Sequence, residues 1–278
     1  MDAASLLAAA TPRLSAVGIE TARLDAEVLL AHALGIDRTR LYARWRDPVA
    51  ADAATRFDAL LERRVRREPV AYLTGQQEFW SLAFSVTPDV LIPRPETELL
   101  VELALNHLPP DEARSVLDIG TGSGCIAVAI AHERPRVHVT AVDISRAALS
   151  VAQRNADTHA VSSRVTFVES DLFSGLAAGA TFDLIASNPP YLAPHQAVSP
   201  ELASEPRGAL YAGADGFGVV RRLLAGALTH LRPGGCVLME IGLGQSDTAL
   251  DLANPGGFTN AEVVPDLAGI PRVLFARR

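Results

Sequence analysis

Apolar positions change period along the chain, and each change marks a boundary. Residues 1–70 read as helices. An opening apolar stretch ends at Gly18, and Thr21 stands where it can cap a second helix in which Leu24, Val28 and Ala31 recur at helical spacing until Gly35. Asp37 is placed to cap a shorter helix, and after Pro48 the series Phe57, Leu60, Leu61 and Val65 marks an amphipathic helix ending near Pro69. From Tyr72 to Pro95, aromatic and β-branched residues with turn signals predict a β-hairpin. Pro93 and Pro95 then stiffen the approach to a helix over about 97–107.

Beyond Pro110 the pattern becomes α/β. SVLDIG, a helix over 124–133, VHVTAVD, a helix over 146–159 and RVTFVES form two consecutive βαβ units, which imply a parallel sheet with right-handed crossovers. FDLIASN adds a fourth strand, GCVLMEIG a fifth after a helix over 217–231, and two late strands near Glu262–Val264 and Arg272–Ala276 close the sheet. The expected architecture is an all-helical N-terminal domain (1–70), a hairpin linker (71–95) and a mostly parallel α/β sheet domain (96–278).

Composition narrows the class. With 49% hydrophobic and 21% charged residues, the 278-residue chain has enough apolar surface to fold throughout. The start lacks a basic leader and no apolar run approaches the roughly 20 residues of a membrane span, so a cytoplasmic protein without membrane contact is expected. Cys125 and Cys236 form no CxxC pair and read as buried thiols, and His132, His138 and His195 lack metal-ligand spacing. Every basic residue is arginine. Residues 1–80 hold 11 arginines and 11 acids, whereas the remainder holds 14 arginines against 21 acids, so the negative charge of -7 lies with the sheet domain. That balance disfavours gripping a nucleic acid and suits a cationic ligand. The run Arg63, Arg64, Arg66, Arg67 reads as a solvated helix end or a docking patch for a partner.

Three motifs carry chemistry. Asp118-Ile-Gly-Thr-Gly-Ser-Gly124 lies where a strand turns into a helix, and glycines at 120, 122 and 124 let a ligand approach the main chain around Thr121 and Ser123. Its spacing is GxGxG, where a dinucleotide fingerprint is GxGxxG. A plain tight turn is the alternative. Asp143 ends the next strand, where nucleoside-binding folds place an acid on ribose hydroxyls; capping the following helix is the competing role. Asp171 can reach the same pocket and accept from an adenine amino group, with Leu172 packing on the ring, or can cap a helix.

Asn188-Pro189-Pro190-Tyr191 follows the fourth strand directly. An amide nitrogen is a poor nucleophile because its lone pair is delocalised. The Asn188 side-chain oxygen and the Pro189 carbonyl can accept its two N–H bonds and aim the lone pair at an electrophilic methyl group. Pro189 and Pro190 fix the loop, and Tyr191 offers a face on which a planar amide or base can stack. A rigid turn without a catalytic part is the alternative.

With these motifs, ARLDAEVLLAHALG, RREPVAYLTGQQEFW, LIPRPETELLVE, LDIGTGSGCIA, SDLF, SNPPY, SEPRGAL and DLAGIPR give the chain a resemblance, over nearly its whole length, to the release-factor glutamine methyltransferases. The resemblance implies a class I, Rossmann-like methyltransferase fold using S-adenosylmethionine. It implies a protein substrate, the glutamine of the Gly-Gly-Gln loop in peptide-chain release factors. Carried onto this sequence, Gly120 to Gly124, Asp143, Leu172 and Asn188 would contact the cofactor, and Asn188 to Tyr191 the glutamine. Some relatives have an aromatic residue where this chain has Leu172. The helical domain and the hairpin would orient the protein substrate. A glutamine methyltransferase of a ribosomal protein and an adenine-amino methyltransferase are the rival readings. For Pro93–Glu98, a helix start with Glu96 and Glu98 on the dipole stands beside a part in shaping the site entrance.

Overall fold

The computed structural model describes residues 1–254 and 257–278, in two compact units: 1–76 with 198–204, and 77–197 with 205–278. The first unit holds helices α1 (Ala3–Ala16), α2 (Ala22–Leu34), α3 (Arg38–Ala43), α4 (Ala51–Val65) and α5 (Val70–Thr74). Leu7, Leu14, Leu29, Leu30, Phe57 and Leu61 form its core. Asp37 caps α3 by accepting from the Arg40 amide at 2.7 Å, and Gly35 ends α2 in the left-handed conformation.

Two readings of this unit need correction. Thr21 precedes α2, but its side chain makes no capping bond. The buried stripe of α2 runs through Ala22, Ala26, Leu29, Leu30 and Ala33, whereas Leu24 is 42% exposed: in an Ala-rich helix, small residues admit the closest helix packing and so define the inner face. The arginine run is also different in kind from either reading. Arg64 is buried and donates to Asp25 at 2.7 Å and Glu201 at 2.9 Å, Arg67 donates to Glu201 at 2.8 Å and to the Val17 carbonyl, and Arg63 pairs with Glu68. Only Arg66 of the four is exposed, so the run is an internal strut that ties 198–204 to α4.

The hairpin of β1 (Gln76–Phe79) and β2 (Leu82–Ser85) begins at the last residue of the 1–76 stretch and leads into the second unit. Its two-residue turn puts Trp80 and Ser81 at φ 53° and 56°, a costly conformation for a tryptophan, and the Glu98 carboxylate holds it by accepting from the Trp80 amide at 2.8 Å. Phe79 and Phe84 lie fully within the core of this unit. A 3₁₀ turn (Pro95–Thr97) leads into α6 (Glu98–His107).

There follow β3 (Arg114–Ile119), α7 (Cys125–Glu133), β4 (Val137–Asp143), α8 (Arg146–Thr158), β5 (Val165–Glu169), β6 (Phe182–Ser187), α9 (Arg207–Leu210), α10 (Gly218–His230), β7 (Leu231–Glu240), α11 (Ser246–Ala253), β8 (Asn260–Pro265) and β9 (Pro271–Arg277). The seven-stranded sheet runs β5-β4-β3-β6-β7-β9-β8; the first five strands are parallel and the last two antiparallel to their neighbours. Side-chain alternation sends Val116, Ala141, Leu184 and Leu238 to one face, against α6 and α7, and Leu117, Val142, Ile185 and Met239 to the other, against α10 and α11. The chain builds outward from β3 to β5, then returns to the other side of β3 with β6. This reversal opens a crevice at the carboxyl ends of β3 and β6, the position where open α/β sheets bind ligands. No helix among the described residues is long and apolar enough to cross a membrane.

Candidate active site

A cavity of about 420 Å³ occupies that crevice. Its wall brings together Gly120–Ser123 after β3, Asp143 after β4, Asp171 and Leu172 after β5, and Asn188–Pro190 after β6. Asp118, Gly124 and Tyr191 lie outside the wall.

The β3 turn is shaped by its neighbours. The Gly120 and Thr121 amides both donate to the Val142 carbonyl, at 2.8 and 3.0 Å, and Gly122 donates to Asp143 Oδ2 at 2.9 Å. Gly124, at φ 82°, starts α7 so close to α8 that a Cβ would stand 3.0 Å from that of Ala152. Asn155 of α8, fully buried, anchors both sides of this region: its Nδ2 donates to the Ser123 and Ser85 carbonyls and its Oδ1 accepts from the Ser85 amide. Nothing in the sequence marked it except an amide on an otherwise alanine-rich helix face.

Asp143 accepts a second amide, that of Ser145, at 2.9 Å, while the Ser145 side chain caps α8. Asp143 therefore stands two residues before the cap itself, and each of its oxygens keeps a lone pair for a ligand. Burial raises its pKa, against the Ser145 and Gly122 amides that lower it. Asp118 is fully buried; its Oδ2 accepts from Thr121 at 2.6 Å, and Oδ1 has no partner among the described residues. Burial pushes its pKa up to about 7, the Thr121 hydroxyl opposing. Ser123 Oγ is a second buried polar atom without a hydrogen-bond partner among the described residues. The Asp171 carboxylate pairs with Arg222 at 2.7 Å on the rim, and no α-helix starts there. Leu172 stands at φ 53°, its carbonyl accepting from the Ser170 hydroxyl.

Asn188 follows Ser187, whose hydroxyl donates to the Ile119 carbonyl at 2.7 Å and locks the two strand ends together. Asn188 Nδ2 donates to Thr97 Oγ1 at 3.1 Å, which leaves the side-chain oxygen for a ligand. The Tyr191 carbonyl accepts from Gln245 Nε2 at 2.9 Å, and burial raises the Tyr191 phenol to about 12. Opposite, buried Glu205 pairs with Arg94 and accepts from the Ile92 amide at 3.0 Å, so SEPRGAL and LIPRPETE are clamped to each other. Thr97, Glu205 and Asn155 are the site residues that sequence reasoning did not single out.

Residues 5–75 match the PrmC N-terminal domain, and residues 97–214 match the methyltransferase small domain. The release factor glutamine methyltransferase of Cereibacter sphaeroides is 46% identical, over 100% of this chain and 99% of its own length. That of Moorella thermoacetica is 46% identical over 98% of this chain and 97% of its own. Among solved structures, the T. thermophilus 16S rRNA N2 G1207 methyltransferase in complex with AdoMet and guanosine has a TM-score of 0.56 at 22% identity, covering 73% of this chain and 49% of that one. The hMettl16 catalytic domain has a TM-score of 0.58 at 16% identity, covering 75% and 79%. These two share the fold. With relatives this similar along its whole length, the chain is an enzyme and belongs to the release factor glutamine methyltransferase family.

Proposed function

We propose that the protein methylates, in the cytoplasm, the side-chain amide nitrogen of the glutamine in the Gly-Gly-Gln loop of peptide-chain release factors, with S-adenosylmethionine as donor. The observation that carries the reading is one cavity walled both by the glycine turn with Asp143 and by Asn188–Pro190. A cationic, nucleoside-bearing cofactor fits what is there. Asp143 keeps lone pairs for hydroxyls, Ser123 Oγ on the wall has no hydrogen-bond partner among the described residues, and Gly120 has open space where a side chain would stand. When bound, S-adenosylmethionine supplies a methyl group made electrophilic by its sulfonium.

The chain's own residues have two tasks. Gly120–Ser123, Asp143 and Leu172 hold the nucleoside and amino-acid ends, with Asp171 on the rim. Asn188 Oδ1 and the Pro189 carbonyl accept the two amide hydrogens of the glutamine, which fixes the amide plane and directs its lone pair. Pro189 and Pro190 contribute no N–H that would compete, and Tyr191 gives the loop a planar surface. No group has to remove a proton before the nitrogen attacks, in keeping with a loop that carries no base.

The test is incubation with labelled S-adenosylmethionine and purified release factors, ribosomal proteins and nucleic acids. Label on a release-factor glutamine is expected; label confined to a ribosomal protein or to adenine would overturn the substrate assignment. Asn188→Ala should lower kcat by about 10²-fold to 10³-fold with little change in cofactor affinity, by analogy with the loss of one positioned hydrogen-bonding group.

A further inference from the structure

The Pro93–Glu98 segment reaches the reacting loop through one side chain. Thr97 is 2% exposed at the end of the 3₁₀ turn, and its Oγ1 lies 3.1 Å from Asn188 Nδ2 and 2.6 Å from Glu240 Oε2. Glu240 is the last residue of β7, 3% exposed, on the strand beside β6, which Asn188 directly follows. A hydroxyl owns a single hydrogen and an ionised carboxylate owns none. The Thr97 hydrogen must therefore point to Glu240, and the Thr97 oxygen then faces Asn188 as an acceptor only. The amide satisfies it with its NH₂ end. Turned by 180°, the amide would set its oxygen against the hydroxyl oxygen with no hydrogen between them. The arrangement thus has one direction, from Asn188 to Thr97 to Glu240.

We infer that Thr97 and Glu240 are positioning residues that fix which end of the Asn188 amide faces the cavity, so that its oxygen is presented to the target nitrogen. This rests on the reading of Asn188 given above. It explains why a threonine stands among the acids of PRPETE and why an acid ends an apolar strand: a carboxylate placed there costs free energy unless its hydrogen bond is put to use. Arg94, Glu96, Arg272, the Tyr191 phenol and the Cys125 thiol surround Glu240, and burial first, with Glu96 adding, pushes it up to about 7 against Thr97, Arg272 and Arg94. Assays at pH 8 therefore examine the charged form.

The experiment uses full-length enzyme, labelled S-adenosylmethionine and a purified release factor, with Thr97→Val, Thr97→Ser, Asn188→Ala and the Thr97→Val/Asn188→Ala double variant. Thr97→Val should lower kcat by about 10-fold to 100-fold, because a misdirected acceptor no longer holds the nucleophile in line, with cofactor Kd within about twofold of wild type. Thr97→Ser, which restores the hydroxyl, should come within about threefold of the wild-type kcat. In the Asn188→Ala background, Thr97→Val should cost nothing further, since the group it orients is gone. Wild-type kcat in Thr97→Val beside an impaired Asn188→Ala, or losses that multiply in the double variant, would overturn the inference. Full activity of Asn188→Ala would instead overturn the parent reading, and this one with it. If Thr97→Val does not fold, Glu240→Gln carries the same test: its amide lets the hydroxyl turn either way, so kcat should fall by about 3-fold to 10-fold and, again, not further without Asn188.

Discussion

Replacing Asp143 by alanine removes two acceptors from the main chain at once. Gly122 loses the partner of its amide at 2.9 Å, and so does Ser145, while Gly122 is held at φ 56° in a turn with no side chain of its own to stabilise it. A hydrogen bond to a charged group contributes about 1.5 to 3 kcal/mol net. Both amides belong to half-buried residues that water can reach in part, so the variant without cofactor should lose about 1 to 3 kcal/mol of stability rather than the sum. Binding should weaken by a similar about 1 to 3 kcal/mol, since hydroxyl contacts and the shape of the turn go together; that is roughly 5-fold to 150-fold in Kd. Calorimetry with S-adenosylmethionine and denaturant unfolding of the cofactor-free protein separate the two effects. Asp143→Asn should recover only part of each, because its NH₂ must face one of the two N–H groups. Lower stability with unchanged affinity would reduce Asp143 to a strut for the glycine turn, and the proposed ribose contact would be wrong.

Two stability predictions follow from buried charge. Glu201→Ala should cost about 1 to 3 kcal/mol in urea unfolding, because it leaves the Arg64 guanidinium, 6% exposed, with one carboxylate, Asp25, and the Glu68 carbonyl. Although burial alone would raise Glu201, Arg67 and Arg64 hold it below its ordinary 4.5, so the wild-type advantage should be present above that pH and lost as the pH falls below it; an advantage that persists in acid would refute the pairing. Asp118 has the opposite sign: with its pKa raised from 3.8 to about 7, it favours the fold most below 3.8, and that contribution is lost as the pH rises through 7. Asp118→Asn should therefore gain on wild type by roughly 2 to 4 kcal/mol between pH 4 and pH 8, at about 1.4 kcal/mol per tenfold change in proton affinity, and parallel stability curves would refute it.

Much of the strand order in the sheet domain was legible because the central strands β3, β6 and β7 are largely buried and read as apolar runs, while the crossovers from β3 to β4, β4 to β5 and β6 to β7 carry a helical period. The glycine turn, Asp143 and Asn188–Pro190 could be expected to share a cavity for a different reason: they are short contiguous stretches at strand ends, and a sheet wound outward from β3 and back brings those ends together. The helical unit was read less well. Alanine is weakly apolar in a pattern, so larger Leu24 was taken for the inner face of α2 although the alanines pack there. Arg63 has a local partner in Glu68, but the carboxylates that pair with Arg64 are distant, since Asp25 stands 39 positions before it and Glu201 137 positions after it.

The same reasoning locates the limit for the active site. Thr97 and Glu240 are 143 positions apart, and Thr97 and Asn188 are 91 apart, so no local period connects them. What the sequence does hold is an anomaly: in GCVLMEIG an acid interrupts a run that burial on both sheet faces demands be apolar. A carboxylate in that place must find a donor or give up its charge. The strand's place in the sheet order then says where the donor has to be, at the carboxyl edge beside β6. The position of such a group is readable from the chain once the sheet order is known; its partner becomes readable only when the turn before α6 is seen to arrive at the same edge. The residues proposed to act on the substrate lie in motifs, whereas those proposed to orient them lie at crossings, and only the fold brings a crossing into view.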